Sequence, residues 1–302
     1  MTAMHRPPAV RRFPLVPGRV ARHTLFAGFA LAISTAWCAA APAPRNGCTS
    51  PSPDCVEVGE LDISVSLGLG SRSNPVLGES DIPLVVIPQI SYYGKRFFLE
   101  NLDLGFTLYE GRANTFNLLA SPGYDRVFFY RNDLQNIFVS GASGAITTAE
   151  PPPSFESPPQ EFEVRPRHVT YLAGPEWLFN YGRVIGQLDA LYEVTGEHDG
   201  YEVRAAVAAP IIQTQHSLVL SAGLTWKSAA VVRYYYGVEG FYEPGSAFNP
   251  FIKLGYTHAL SNRWTLSAFA HYEHLGSAIA DSPIVGEDGV TTVFAGVVFK
   301  IL

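Results

Sequence analysis

The chain has 302 residues and a formal charge of −6, and only 16% of its residues are charged against 47% hydrophobic and 13% aromatic. An ordinary soluble domain carries about 25% charged residues, and an acidic balance excludes nucleic acid as a partner. Past the N-terminus no apolar run reaches the ~20 residues of a membrane helix, so a membrane protein of this composition has to be a closed barrel that pairs every backbone group in lipid.

The N-terminus reads as a secretory signal. Arg6, Arg11, Arg12, Arg19 and Arg22 precede the apolar run Leu25–Ala36 and the small cluster Cys38-Ala-Ala-Ala41. Residues 1–41 are therefore expected to be removed. The leader holds five arginines and no acid, so its loss moves the formal charge from −6 to −11. Residues 42–60 form a periplasmic segment in which Cys48 and Cys55 close a short proline-containing loop. In an oxidising compartment this pair is expected to form a disulfide.

From residue 61 to 302 the pattern is that of strands. In Leu61–Gly70, Leu61, Ile63, Val65, Leu67 and Leu69 alternate with Asp62, Ser64, Ser66, Gly68 and Gly70, one face for lipid and one for a lumen. Pro83–Tyr93 and Arg96–Tyr109 follow, joined by a turn at Gly94-Lys95. Tyr124–Arg131 reads as a strand, with Asp133–Val139 either its continuation or a short helix. Gly141–Pro166 is a proline-rich loop. Strands of the ~9–11 residues that span an outer membrane are expected at Arg167–Phe179, Arg183–Glu193, Tyr201–Ile211, Ser217–Trp226, Ala230–Val238, Phe248–Leu260 and Arg263–Leu275. The closing strand, Thr291–Ile301, turns Val293, Ala295, Val297 and Phe299 outward. The fold class is an all-β antiparallel transmembrane barrel of about twelve strands, ten being the alternative. Twelve strands put the termini and the short turns at Gly94-Lys95 and Ser261-Asn262 on the periplasmic side, and they put Gly141–Pro166 there too.

The inward positions collect charge of both signs: Asp189, Glu193, Glu202, Arg204, Arg233, Lys253, Arg263, His271 and Glu273. They read either as a lined pore for a small solute or as a lumen plugged by its own ion pairs, because buried charges demand partners. His271 and His274 point to opposite faces of a strand and cannot chelate together. No metal, no cofactor and no catalytic residue is expected.

Pro75–Ser80, Ile87–Phe98, Tyr234–Val238, Asp281–Val285 and Phe299–Ile301 together resemble motifs of the MipA/OmpV family of outer-membrane proteins. Pro75-Val-Leu-Gly-Glu-Ser80 is similar to the family's loop after the first strand, and Ile87-Pro-Gln-Ile-Ser-Tyr-Tyr-Gly-Lys-Arg-Phe-Phe98 to its second hairpin. Tyr234-Tyr-Tyr-Gly-Val238 and Asp281-Ser-Pro-Ile-Val285 match further motifs, and Phe299-Lys300-Ile301 stands where the family tends to end Tyr-Arg-Phe. The resemblance covers about residues 61–110 and 168–302, departing at the terminal Ile301-Leu302 and in the proline-rich middle. It implies an outer-membrane barrel in contact with lipid. It also implies a structural or scaffolding role toward murein hydrolase and synthase proteins on the periplasmic side. A narrow passive channel is the second expectation and an outer-membrane hydrolase a distant third.

Overall fold

The computed structural model describes residues 59–129 and 167–301. The expected signal peptide (1–41), the Cys48–Cys55 pair and the proline-rich 141–166 lie outside the described residues.

Twelve described strands close into one antiparallel barrel, each paired with its sequence neighbours and the last with the first. They are β1 Leu61–Arg72, β2 Ile82–Tyr93, β3 Phe97–Glu100, β4 Asp103–Glu110, β5 Asn114–Pro122 and β6 Tyr171–Tyr181. The circuit continues with β7 Val184–Glu193, β8 Tyr201–Gln213, β9 His216–Lys227, β10 Ala247–Ala259, β11 Trp264–His274 and β12 Gly289–Lys300. Closure leaves no open first or last edge in lipid.

Twelve strands form, though not the expected twelve. Arg96–Tyr109 is split into β3 and β4 by a turn at Asn101, which adopts a left-handed φ of 55°. Asparagine tolerates that conformation. Here its N–H donates to Ile90 O at 2.7 Å and its Oδ1 accepts from Ile90 N–H at 3.1 Å, so the turn is pinned to β2. Tyr124–Phe128 is a 3-10 turn rather than a strand, and Asn114–Pro122, not anticipated, supplies β5. Ala230–Val238 is not a strand either: Ala229–Tyr236 forms helix α1. Its buried residues Val231, Val232, Tyr235 and Tyr236 are spaced for one face of a helix and not for alternate faces of a strand.

The connections at the end where β1 starts and β12 finishes are short, falling at residues 94–96, 111–113, 182–183, 214–215 and 260–263. Short turns mark the periplasmic rim of such barrels. β5 ends and β6 begins at the opposite rim, and the expected periplasmic placement of Gly141–Pro166 falls outside the described residues.

The face assignments hold along the strands where they were read. In β1, Leu67 and Leu69 are exposed to the surroundings while Ser64 and Ser66 are buried inside. At the seam, Val65 pairs with Phe299, Leu67 with Val297 and Leu69 with Ala295, so the lipid-facing residues of both strands form one surface. Gly68 pairs with Gly296 on the inner side. A methyl on either glycine would fall 2.7 Å from Phe294 Cζ, so the pair gives the Phe294 ring room to cross the seam. Phe294 then packs with Ile82, Leu84, Ile87 and Phe269 as an apolar cluster inside the wall. Part of the lumen is thus filled with hydrocarbon.

The largest buried cluster lies above the barrel. Val127 and Phe128 of the 3-10 turn, Val231, Val232, Tyr235 and Tyr236 of α1, and Ile279 of the short helix α2 (Ser277–Ala280) pack with Leu275, Ile284, Val285 and Val290. These outer connections form a folded cap over the outer mouth.

Candidate functional site

The cap is fastened to the wall by a buried ion pair. Lys227, the last residue of β9, places Nζ 2.6 Å from each carboxylate oxygen of Asp125 in the 3-10 turn. Tyr236 of α1 donates its hydroxyl to Asp125 Oδ1 at 2.7 Å. Both Asp125 and Lys227 are buried, where an ion pair holds only if its remaining groups are also satisfied. The Arg167 guanidinium donates to Tyr235 O from Nε at 2.8 Å and lies 3.8 Å over the Phe129 ring. Burial holds the hydroxyls of Tyr235 and Tyr236 above the ordinary phenol range, so both stay protonated, Tyr236 as the donor to Asp125 and Tyr235 in its bond with Thr170.

A pH-sensitive contact sits in the adjoining loop, residues 194–200. Burial lowers the His198 pKa from its ordinary value against the pull of Glu193, Glu202, Asp125 and Asp199. Its Nδ1 accepts the Gly200 N–H at 3.1 Å, which requires a neutral ring. The unfolded loop therefore takes up a proton that the folded loop resists. Stability is complete above the ordinary histidine pKa and declines as the pH falls below it. Hydrogen-exchange protection at the Gly200 amide, corrected for intrinsic rate, is expected to drop as the pH moves from about 7 to about 5, and His198→Gln should flatten the dependence. Unchanged protection in the wild type would count against this account.

Below the cap the inner wall carries two polar groupings. In the first, Asn117 Nδ2 donates to Glu176 Oε2 at 2.5 Å, and Gln187 Nε2 donates to Glu176 Oε1 at 3.1 Å and to Asp189 Oδ2 at 2.9 Å. Arg204 donates to Glu202 Oε2 at 2.8 Å through one terminal nitrogen and to Ser121 Oγ at 3.1 Å through the other. The second grouping surrounds a cavity of about 460 Å³ under the cap, lined by Arg72, Lys253, His271 and Glu273 and by the Asp125–Lys227 pair. Glu273 accepts from Asn249 Nδ2 at 2.9 Å.

Asp189, Glu202, Arg204, Lys253, His271 and Glu273 thus face the lumen on their strands, in two groups instead of one. Glu193, also buried, turns upward: its carboxylate accepts the backbone N–H of Glu197, His198 and Asp199 at 3.0, 3.1 and 3.1 Å and so folds the 194–200 loop. Arg233 is not in the lumen. It lies on the exposed side of α1, 3.8 Å from Glu243, because its segment is helical. Arg263 is not inside either; it is exposed in the β10–β11 turn. Arg72, Lys227, Asp125 and Glu176 were not anticipated. Arg72 and Lys227 lie in register with the alternation of their strands, one step beyond where the apolar pattern stops. Asp125 meets Lys227 across 102 residues, and nothing local in the sequence signals that. Among the described residues no group of three or more His, Cys, Asp or Glu side chains is placed to hold a metal.

The periplasmic rim has a character of its own. Lys95 and Arg96, Arg112, Arg183 and Arg263 stand exposed in four of its five short turns. Lys300 pairs there with Asp62. Exposed carboxylates cluster at the other end instead, among them Glu79, Asp81, Asp199, Glu239, Glu243, Asp281, Glu287 and Asp288. Among the described residues, this net-negative chain therefore presents cations at the rim of short turns and acids at the opposite end.

Among solved structures the chain is similar to a porin at 8% identity and TM-score 0.34, covering 80% of this chain and 100% of the porin. It is also similar to the OmpT outer membrane protein of Vibrio cholerae at 9% identity and TM-score 0.32, covering 76% and 67%. Among characterised sequences it is 23% identical over 259 residues to the MltA-interacting protein of Escherichia coli (strain K12), spanning 80% of this chain and 91% of the relative. It is 22% identical over 248 residues to YiaT of the same organism, which carries an outer-membrane designation, spanning 79% and 91%. The sequence profile of the family described as MltA-interacting protein MipA matches residues 65–301, and the chain belongs to that family as a β-barrel of the outer membrane.

Proposed function

We propose that the barrel is a non-catalytic anchor in the outer membrane whose cationic periplasmic rim docks a murein-processing protein. The carrying observation is the charge polarity among the described residues: Lys95, Arg96, Arg112, Arg183 and Arg263 are exposed on flush turns, while Glu60 and Glu110 are the described exposed acids near them. Such a surface steers and orients an acidic partner face more than it supplies binding energy. The name of the Escherichia coli relative records an interaction with MltA, a lytic transglycosylase. A protein of that class, together with a murein synthase, is the partner this reading assigns.

The test is capture of periplasmic proteins by the folded barrel immobilised in detergent. Retention of a lytic transglycosylase is expected at low salt and should decline steeply as salt rises. A variant with Arg96, Arg112, Arg183 and Arg263 changed to Gln should retain at least about tenfold less. Equal capture by wild type and variant would reject the rim as the docking face. The packed cap argues against the second reading, a through-going channel, and planar bilayers should show no conductance steps for the intact protein.

A further inference from the structure

We propose that one arc of the lipid-facing wall, at the periplasmic ends of β4 to β7, is a binding site for an anionic phospholipid. A row of aromatic rings and a pair of arginines meet there.

The rings come from the strand register. Phe116 of β5 has Tyr109 of β4 as its partner on one side and Trp177 of β6 on the other. All three are exposed on the outer surface. Phe116 and Trp177 stack at 6.0 Å and 8°, Tyr109 lies 6.2 Å from Phe116, and Phe179 lies 4.9 Å from Trp177. The row is held in place. Trp177 donates its indole N–H to Asn114 Oδ1 at 3.0 Å, and Phe179 covers Gly186 of β7, where a methyl would collide with its ring. Rings fixed in this way lose little freedom when a hydrocarbon chain packs on them.

The arginines come from the turns. Arg112 lies in the 111–113 connection and Arg183 in the 182–183 connection, both exposed. The two connections adjoin on the rim, since the Asn180 N–H at the end of β6 donates to Ala113 O beside Arg112 at 2.8 Å. Glu110, the described acid next to these turns, is the cross-strand partner of Thr115. Alternation therefore puts it on the lumen face, away from Tyr109 and Phe116.

Aromatic belts sit at the level of the lipid headgroups, so turns just below the row reach the phosphates of the inner leaflet. A guanidinium fork takes a phosphate in two-point contact, and each cation at this level adds attraction to an anionic lipid. An aromatic belt alone accepts any lipid. Two arginines on adjoining turns beneath it select a head with net negative charge. The site does not rest on the docking reading, and its test contains no periplasmic protein.

The experiment places the full folded chain in phosphatidylcholine vesicles. These carry a varied fraction of brominated phosphatidylglycerol or, separately, of brominated phosphatidylcholine. Quenching of Trp177 is read with Trp37, Trp226 and Trp264 changed to Phe. Brominated phosphatidylglycerol should be enriched beside Trp177 by about fivefold over its bulk fraction, and brominated phosphatidylcholine not at all. Arg112→Gln and Arg183→Gln should each lower the enrichment, and the two together should abolish it. Arg233→Gln, on the cap, should leave it unchanged. A chain that keeps Trp226 instead, at the outer end of β9, should show no preference. Folding is verified by heat-dependent gel mobility, and if the double variant does not fold the two single variants decide. Equal quenching of Trp177 by the two lipids overturns the proposal. So does the same preference at Trp226, a preference that survives loss of the arginines, or one that falls with Arg233→Gln.

Discussion

Lys227→Met is expected to loosen the cap more than any other single change described for it. The substitution leaves Asp125 buried with Tyr236 as its remaining donor, and removing one partner of a buried pair costs about 3–5 kcal/mol. That cost falls on the contact between cap and wall, since Asp125 belongs to the 3-10 turn and Lys227 to β9. The barrel, held by ladders around its whole circuit, should remain folded and heat-modifiable. The outer connections should become sensitive to added protease, and planar bilayers should show conductance that the wild type lacks. The double variant Asp125→Leu with Lys227→Met removes both charges together and should recover most of the protease resistance, because an apolar replacement of a buried pair is often neutral or better. If the single variant resists protease as the wild type does, the pair does not hold the cap. If the double variant is as weak as the single, the loss lies in packing and not in the orphaned charge.

The barrel could be read from the sequence because its rule is local. Alternation at period two in β1, β9, β11 and β12 gives both the strand and its two faces, and the closing pair of β1 with β12 follows from the need to leave no edge in lipid. Even the Glu202–Arg204 pair is a local feature, two inward positions on one strand joined at 2.8 Å. The cap is another matter. Its core joins Val127, Tyr235, Ile279 and Val285 from connections far apart in sequence, and Asn74 reaches Phe128 O across 54 residues. No window of sequence contains such contacts. α1 was misread because Val and Tyr favour strands, although the burial of Val231, Val232, Tyr235 and Tyr236 has helical spacing. β5 was not anticipated although its exposed Phe116 and Leu118 alternate with the buried Asn117 and Ser121; Leu119, which packs with Leu172 and Leu191, interrupts the polar face between them. Arg72 escaped because the expected first strand stopped at Gly70. The consequence for function is uneven: the face toward lipid was legible in β1, β9, β11 and β12, whereas the residues that shape the cavity come from the ends of strands and from the cap.

The sharpest check on the lipid-facing assignment is a pair of adjacent substitutions in the closing strand. Val297 points outward, beside Leu67 of β1 and Leu266 of β11, and Val298 points inward, beside Ser66 and Thr265. An arginine on the lipid face costs about 2–4 kcal/mol at the midplane and close to nothing at the interfaces. Ala295, deeper in β12 and opposite Leu69 and Ala268, should show most of that cost. Val297, three residues from the periplasmic end of the strand, should show an intermediate part of it. Val298→Arg enters the lumen on the side of Ser66 and Thr265, away from the acyl chains, so its cost should be clearly smaller than that of Val297→Arg despite the single step along the chain. Urea-dependent folding into lipid vesicles gives the three free energies directly, and the order expected is Ala295→Arg, then Val297→Arg, then Val298→Arg, from most to least destabilising. The comparison between neighbours is the decisive one, since propensity, chain position and added charge are the same for both and only the face differs. Equal costs at 297 and 298, or the reverse order, would mean that the seam does not present its apolar row to lipid.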